Sequence, residues 1–259
     1  MLDTIDIQKI ISIAREAGKA ILEVYNQPFD VEKKDDHSPI TLADKRSNDI
    51  ITGELKRLYP EAPLLSEESK QIPFEERKDW KYFWMIDPLD GTKEFISKNG
   101  EFTVNIALIH DGEPVLGVVY IPVASTTYYA SKNSGSHKIF PDGRIAKLSA
   151  KYLHYATRRN VVVIGSRSHQ TPEVQEFVEQ LKQKGKAVDF ISAGSSLKFC
   201  LIAEGAADVY PRFGPTMEWD TAAAHVIATE AGRKVLNAKT QQPLAYNKEN
   251  LLNEWFVVE

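Results

Sequence analysis

A single cysteine, Cys200, stands in 259 residues, so no intrachain disulfide is possible. It lies in Leu197-Lys198-Phe199-Cys200-Leu201, an apolar stretch of helical character. A buried small hydrophobe is the expected role there, and a reducing cytoplasm fits it. No segment approaches the roughly 18 consecutive apolar residues of a membrane span. The opening Met1-Leu2-Asp3-Thr4-Ile5-Asp6 carries acid where a secretory leader carries base. These absences predict a cytoplasmic protein without a transmembrane segment; peripheral contact with the inner membrane is left open. There is no cationic excess either: 32 Lys and Arg stand against 36 Asp and Glu, a net charge of −4. That balance speaks against a nucleic-acid partner, while leaving room for a small basic pocket. Repeats, low-complexity tracts and long linkers are also lacking.

What is present is an ordinary globular composition, 42% hydrophobic and 26% charged, which excludes wholesale disorder. Ile7, Ile10, Ile11, Ala14, Ala17, Ile21 and Tyr25 recur at helical spacing and predict an amphipathic helix over 6–26. A strand over 29–33 and a polar loop over 35–39 follow. Thr41 and Asp44 form a capping-box-like pair that opens a second helix, closed by Pro60 and Pro63. Leu64-Leu65 reads as a brief strand entering Ser66-Glu67-Glu68-Ser69. A strand over 82–86 enters the turn Asp87-Pro88-Leu89-Asp90-Gly91. Strands over 102–109, 115–121 and 126–130 then suggest an antiparallel sheet flanked by the two early helices.

Beyond residue 158 strands alternate with helices. Strands are expected over 161–165, 188–191 and 208–212, with short ones near Val235 and Phe256. Thr171 caps a helix with Pro172 in its first position. Two more helices run over 195–204 and 220–231, stopped by Gly205 and Gly232. The chain therefore divides into an α+β half, 1–158, and an α/β half, 159–259. Trp80, Trp84 and the tyrosines read as core, and 147–159 as a loop without specific character.

Four acidic sites stand out. Asp87 and Asp90 flank Pro88 at a strand end, where two carboxylates and the Leu89 carbonyl can converge on one point; such hard oxygen donors suit Mg²⁺. Taken by itself the segment is equally a turn. Gly91-Thr92 opens a short helical turn whose N–H groups can hold a phosphate, although Thr92 in isolation is a helix cap. Glu67-Glu68 in isolation is solvated charge, and Asp220 in isolation is a helix N-cap.

The combination changes this. Leu65-Ser66-Glu67-Glu68-Ser69, then Asp87-Pro88-Leu89-Asp90-Gly91-Thr92, then Trp219-Asp220-Thr221-Ala222-Ala223, in that order and spacing, resemble the inositol monophosphatase-like superfamily of lithium-sensitive, metal-dependent phosphatases. The resemblance spans the chain. It implies a layered αβαβα sandwich, with an antiparallel sheet in the first half and a mixed sheet in the second. It implies two or three Mg²⁺ ions: one held by Glu67, Asp87 and the Leu89 carbonyl, a second by Asp87, Asp90 and Asp220. Thr92 paired with Asp44 would activate a water, which Glu67 would help place. The Gly91 and Thr92 N–H groups would bind the scissile phosphate.

Further segments narrow the likeness. Thr92-Lys93-Glu94-Phe95, Asn99-Gly100-Glu101-Phe102-Thr103-Val104-Asn105, Ser166-Arg167-Ser168-His169, Gly194-Ser195-Ser196-Leu197-Lys198 and Tyr210-Pro211-Arg212-Phe213-Gly214-Pro215 resemble the bacterial CysQ-type 3'(2'),5'-bisphosphate nucleotidases within that superfamily. The resemblance implies hydrolysis of adenosine 3',5'-bisphosphate to AMP and phosphate, in sulfur metabolism. A bisphosphate has a second phosphate far from the metals, which needs a cationic anchor. Lys198, Arg212 and Ser195 can supply one, with His169 against the nucleotide. Lys93 and Lys98 add positive field or face water. Two alternatives remain: an inositol monophosphatase or sugar-bisphosphatase with the same metals, and, more remotely, a non-catalytic metal or nucleotide sensor. Oligomeric state is not legible.

Overall fold

The computed structural model describes residues 2–33, 39–70, 72–149, 154–167 and 171–259. Residues 35–38 of the polar loop expected at 35–39, residues 150–153 of the loop expected at 147–159, and His169 with its neighbours Ser168 and Gln170 lie outside the described residues.

Helix α1 (Ile7–Tyr25) has its N-terminus capped by Asp6, whose carboxylate accepts from Gln8 N at 3.0 Å. The hairpin of β1 (Val31–Lys33) and β2 (Pro39–Thr41) leads into α2 (Leu42–Leu58). The expected capping box forms there: Ala43 N donates to Thr41 Oγ1, and Thr41 N donates to Asp44 Oδ2. Both helices lie on one face of a seven-stranded sheet in the order β3 (Leu64–Ser66), β4 (Tyr82–Asp90), β5 (Thr103–His110), β6 (Glu113–Ile121), β7 (Thr126–Ser131), β8 (Gly135–Ile139) and β9 (Ile145–Leu148). The one-turn helices α3 (Phe74–Arg77) and α4 (Thr92–Ile96) flank β4 in sequence. Every pairing in the sheet is antiparallel except β3 with β4.

Strand alternation divides the core. Trp84 and Ile86 of β4, with Val104, Ile106 and Leu108 of β5, pack with Ile10, Ile21 and Ile51 of the helices. Phe83, Met85, Ala107 and Ile109 face the other way, onto the second half. Burying each such side chain stabilises by about 1.5–3 kcal/mol. Sequence reading missed β8 and β9. Gly135-Ser136-His137-Lys138-Ile139 is mostly polar, because it approaches the open edge of the sheet, where one face stays wet. It also placed Lys147 in a loop, whereas Lys147 pairs with His137.

In the second half, β10 (Asn160–Ser166) runs parallel to β11 (Ala187–Ala193). A parallel bridge, Val163 to Val209, joins β10 to β12 (Tyr210–Arg212), which pairs with β14 (Phe256–Val258) and through it with β13 (Val235–Asn237). This is the expected mixed sheet. Helices α6 (Leu197–Glu204) and α7 (Glu218–Glu230) fill the layer between the two sheets, and α5 (Pro172–Gln183) covers the outer face. The result is a layered αβαβα sandwich. Gly117 on β6 permits the closest approach: a Cβ there would sit 2.2 Å from the Ala223 carbonyl oxygen of α7.

Two helix starts and one cap differ from expectation. Helix α6 begins at Leu197 rather than 195, because Ser195 is left-handed at φ +46°. Helix α7 begins at Glu218 rather than 220, so Asp220 is the third helical residue and not an N-cap. Thr171 occupies the cap position of α5, but its hydroxyl makes no cap bond and is buried without a partner among the described residues.

Candidate active site

The acidic motif does not follow β4; it is the end of β4. The ladder pairs Asp87 with Asn105 and Asp90 with Thr103, a register shift of one residue. In a regular strand, residues three apart point to opposite faces. The bulge adds one residue, and both carboxylates then point to the same face. Pro88 is tolerated at such a bulge, and its carbonyl accepts from Ser47 Oγ of α2 at 2.7 Å. The sequence reading of a plain turn after a strand is corrected in this respect.

Parallel pairing of β3 with β4 brings Glu67 beside the same strand end, where Glu67 N donates to Ile86 O. Helix α7 delivers Asp220. Oxygens of Glu67, Asp87 and Asp220 all lie within 4.8 Å of one another. Asp90 is not in that trio. Its Oδ2 accepts from Ser196 N at 2.6 Å, Asn105 Nδ2 at 3.2 Å and Thr103 Oγ1 at 3.4 Å. Burial, reinforced by the charges of Glu67, Asp90 and Asp220, holds the Asp87 carboxyl well above the usual carboxylate range. Burial, with Asp90 and Glu67 adding, does the same to Asp220. Buried carboxylates this close repel one another unless a cation joins them. Oxygen-only donors without His or Cys fit a hard divalent ion such as Mg²⁺.

Gly91 follows at φ +95°, a region open to glycine, and turns the chain into α4. Thr92 Oγ1 donates to Asp44 Oδ1 at 3.2 Å, with Leu89 O at 3.5 Å as a weaker acceptor. The expected Thr92–Asp44 pair is therefore present, at the edge of the acidic cluster.

A cavity of about 390 Å³ opens above the carboxylates. Glu67, Asp90, Gly91, Thr92 and Asp220 line it together with Ser195, Lys198 and Arg212. The structure thus brings together the metal-type and anchor-type residues that the sequence analysis named, His169 excepted. Lys198 is buried, and its Nζ donates to Ser195 O at 2.6 Å and Ala193 O at 3.3 Å. Burial pushes its ammonium down to about 8, against the pull of Asp90. Arg212 Nη2 donates to Pro215 O at 2.7 Å, while its buried Nε has no partner among the described residues. Lys98, by contrast, is not part of the cavity: its ammonium sits over the rings of Tyr25 and Phe29.

Sequence reading missed the residues that hold this geometry. Ser196 is one. Its N–H is bound by Asp90, its hydroxyl accepts from Asn105 Nδ2 at 2.9 Å, and the same hydroxyl donates to Asp220 O at 2.7 Å. Asn105, at 1% exposure in a strand of apolar residues, was the available signal, since a buried amide in a core strand requires polar partners. Tyr210, expected as core, is buried and also walls the cavity.

The model of the inositol monophosphatase family matches residues 3–255. The 3'(2'),5'-bisphosphate nucleotidase CysQ of Salmonella typhimurium is 44% identical over 257 residues, covering 97% of this chain and 98% of that protein. CysQ of Escherichia coli K12 is 44% identical over 258 residues, with the same coverage. The crystal structure of CysQ from Bacteroides thetaiotaomicron superposes with a TM-score of 0.84 at 43% identity, covering 96% of this chain and 94% of that one.

Proposed function

This chain belongs to the inositol monophosphatase family, and from that membership we propose that it is a 3'(2'),5'-bisphosphate nucleotidase, a phosphoric monoester hydrolase that converts adenosine 3',5'-bisphosphate to AMP and phosphate. The observation that carries the reading is a single cavity lined both by the carboxylates of Glu67, Asp90 and Asp220 and by the cations Lys198 and Arg212. Relatives at 44% identity named for this activity support it. The substrate of an inositol monophosphatase has no second phosphate for those cations to bind. A sensor has no use for the Thr92–Asp44 pair.

Glu67, Asp87 and the Leu89 carbonyl would hold one Mg²⁺, and Asp87, Asp90 and Asp220 a second; Glu67 could share a weaker third. When bound, such ions neutralise phosphoryl charge and acidify a water. The remaining work belongs to the chain. Thr92 donates its hydroxyl hydrogen bond to Asp44 and so turns its lone pairs outward to accept from the attacking water. The Gly91 and Thr92 N–H groups, at the mouth of α4, hold the reacting phosphate. Lys198, Arg212 and Ser195 hold the distal phosphate by charge-assisted bonds. Residues 1–158 contribute the first metal ligands and 159–259 contribute Asp220 and the anchors, so neither half is complete by itself. The lone buried Cys200 suits a reducing cytoplasm, and no helix among the described residues is long and apolar enough to cross a membrane.

A phosphate-release panel with Mg²⁺ tests the reading: adenosine 3',5'-bisphosphate, its 5'-phosphosulfate analogue, inositol 1-phosphate and fructose 1,6-bisphosphate, each with and without Li⁺. Fastest turnover on a nucleotide carrying the 3'-phosphate is expected, with inhibition by Li⁺. Equal or faster turnover of inositol 1-phosphate would overturn it.

A further inference from the structure

Beside the Gly91 turn and the Gly194–Ser195 segment, whose Gly91 and Ser195 line the cavity, stands Glu101, which the proposed chemistry does not use. Its Oε2 accepts from Gly194 N at 2.8 Å. The same carboxylate is gripped by Arg167, with Nη2 at 2.7 Å from Oε1 and Nε at 3.3 Å from Oε2. Arg167 also reaches Ser192 O at 3.4 Å, so the fork ties Glu101 to the end of β11.

The backbone of Glu101 is equally placed. A Cβ on Gly194 would lie 2.7 Å from the Glu101 carbonyl oxygen and 3.1 Å from Glu101 Cβ. A Cβ on Gly91 would lie 3.4 Å from that same oxygen, and 3.4 Å from Ser195 Cβ. Glu101 is therefore wedged between the Gly91 turn, where the reacting phosphate binds, and the Gly194–Ser195 segment, which opens the distal anchor. The next residue, Ser195, is held left-handed at φ +46°, a conformation that costs a non-glycine residue energy and persists only where neighbours enforce it. The carboxylate bond to Gly194 N is the restraint on its N-terminal side. On its C-terminal side Ser196 N is held by Asp90. Ser195 O in turn receives the Lys198 ammonium. One carboxylate thus sets where the anchor's carbonyl, hydroxyl and ammonium stand relative to the reaction centre.

We propose that Glu101 is a positioning residue that fixes the span between the reacting phosphate's site and the distal anchor, and thereby sets selectivity for substrates bearing two phosphates at that spacing. The inference rests on the bisphosphate reading above. The Arg167–Glu101 fork is half-exposed, and such a pair contributes little by itself; its part is to aim the carboxylate. Contact with the substrate is not required of Glu101, so its removal acts on the anchor and leaves the chemistry at Thr92 in place.

The test is steady-state kinetics of the full chain with Mg²⁺ on adenosine 3',5'-bisphosphate and on adenosine 3'-phosphate. Wild type, Glu101→Ala, Glu101→Gln and Arg167→Ala are compared. Glu101→Ala is expected to raise KM for the bisphosphate about 10-fold or more, with kcat and the monophosphate KM each within about 2-fold. Glu101→Gln keeps an oxygen for Gly194 N but loses the ionic fork, and should fall between. Losses of equal size on both substrates mean a merely structural role and overturn the proposal, as does an unchanged selectivity. If Glu101→Ala does not fold, Glu101→Gln and Arg167→Ala decide by the same criterion. A wild type that shows no preference for the bisphosphate removes the underlying reading, and this inference with it. A wild-type preference that the variants retain defeats this inference only.

Discussion

Thr92 and Asp44, 48 residues apart in the chain, meet through one carboxylate that serves two elements. Asp44 Oδ1 accepts from Thr92 Oγ1 at 3.2 Å, while Oδ2 accepts from both Thr41 N and Thr41 Oγ1 at 2.7 Å. The side chain is 1% exposed. The group that starts α2 is thus the group that orients the hydroxyl at the acidic cluster. A helix cap has been placed so that its spare oxygen faces the reaction centre.

The two duties separate by mutation. Thr92→Val removes the hydroxyl and leaves the cap intact; kcat should fall about 10²–10⁴-fold with the thermal midpoint nearly unchanged. Asp44→Asn can still accept from Thr41, but its amide offers Thr92 a donor where an acceptor stood, so activity should fall comparably. Asp44→Ala loses the cap as well, at a cost of about 1 kcal/mol in stability. A Thr92→Val enzyme retaining wild-type kcat would remove Thr92 from the mechanism.

The acidic cluster predicts an inverted pH response when metal is withheld. The Asp87 carboxyl is raised above its unfolded value. A raised carboxyl binds its proton more tightly in the folded state, so its contribution is fully present below the unfolded value and is lost as pH rises through the folded one. In chelator, the Asp87 contribution should therefore be lost as pH rises above the ordinary carboxylate range, and Mg²⁺ should offset that loss by mass action. Asp87→Asn should flatten that loss and abolish the Mg²⁺ effect, with each kcal/mol of relieved repulsion raising the metal-free midpoint by about 2–4 °C. Calorimetric scans at pH 5 and pH 7.5, with chelator and with Mg²⁺, measure both. A metal-free pH dependence identical in the two proteins would contradict the assignment of Asp87 to the cluster.

How far the sequence carried these conclusions depended on the kind of signal. Helical periodicity located α1, and Thr41 with Asp44 located the start of α2, because caps and amphipathic faces are local. The family-like segments named the carboxylates, but their relative placement is tertiary. That Asp87 and Asp90 share a face depends on a bulge set by pairing with β5. That Asp220 approaches them depends on where α7 packs. Asp220 in isolation reads as an N-cap, although the resemblance makes it a metal ligand; two further residues, Glu218 and Trp219, are drawn into the helix because Glu218 is buried on the backbone N–H groups of Asn247 and Lys248. Ser196 and Glu101 lie in the family-like segments but receive no role from the sequence, because each acts through backbone N–H contacts between distant segments.

The distal anchor predicts a selective defect. Arg212 carries a buried Nε without a partner among the described residues and lines the same cavity as the carboxylates. A charge-assisted bond to phosphate is worth about 1.5–3 kcal/mol, so Arg212→Ala should lower kcat/KM for adenosine 3',5'-bisphosphate about 10–100-fold while sparing inositol 1-phosphate. Lys198→Met should act in the same sense. Matching losses on both substrates would place the residue in the general architecture of the site and not in recognition of the second phosphate.

His225 predicts an acid sensitivity of opposite sign to that of Asp87. It is buried in α7 with Nδ1 2.9 Å from the Tyr246 hydroxyl, and burial pushes its imidazole down to about 4. The unfolded chain takes up a proton near 6.5, whereas the folded one resists until about 4. Stability contributed by the neutral ring is therefore complete above pH 6.5 and falls as pH drops, by about 2 kcal/mol at pH 5. Because Asp87 and Asp220 push the other way over the same range, the quantity to measure is the difference between wild type and His225→Asn in urea unfolding at pH 7.5 and pH 5, both in Mg²⁺. Asn keeps a polar atom near the Tyr246 hydroxyl but takes up no proton. The variant should be the less stable protein at pH 7.5, since it leaves part of the ring's volume unfilled, and the gap should close or reverse at pH 5. A gap that stays constant would mean that His225 is already protonated in the folded protein at pH 5, and that the Tyr246 hydroxyl accepts its proton.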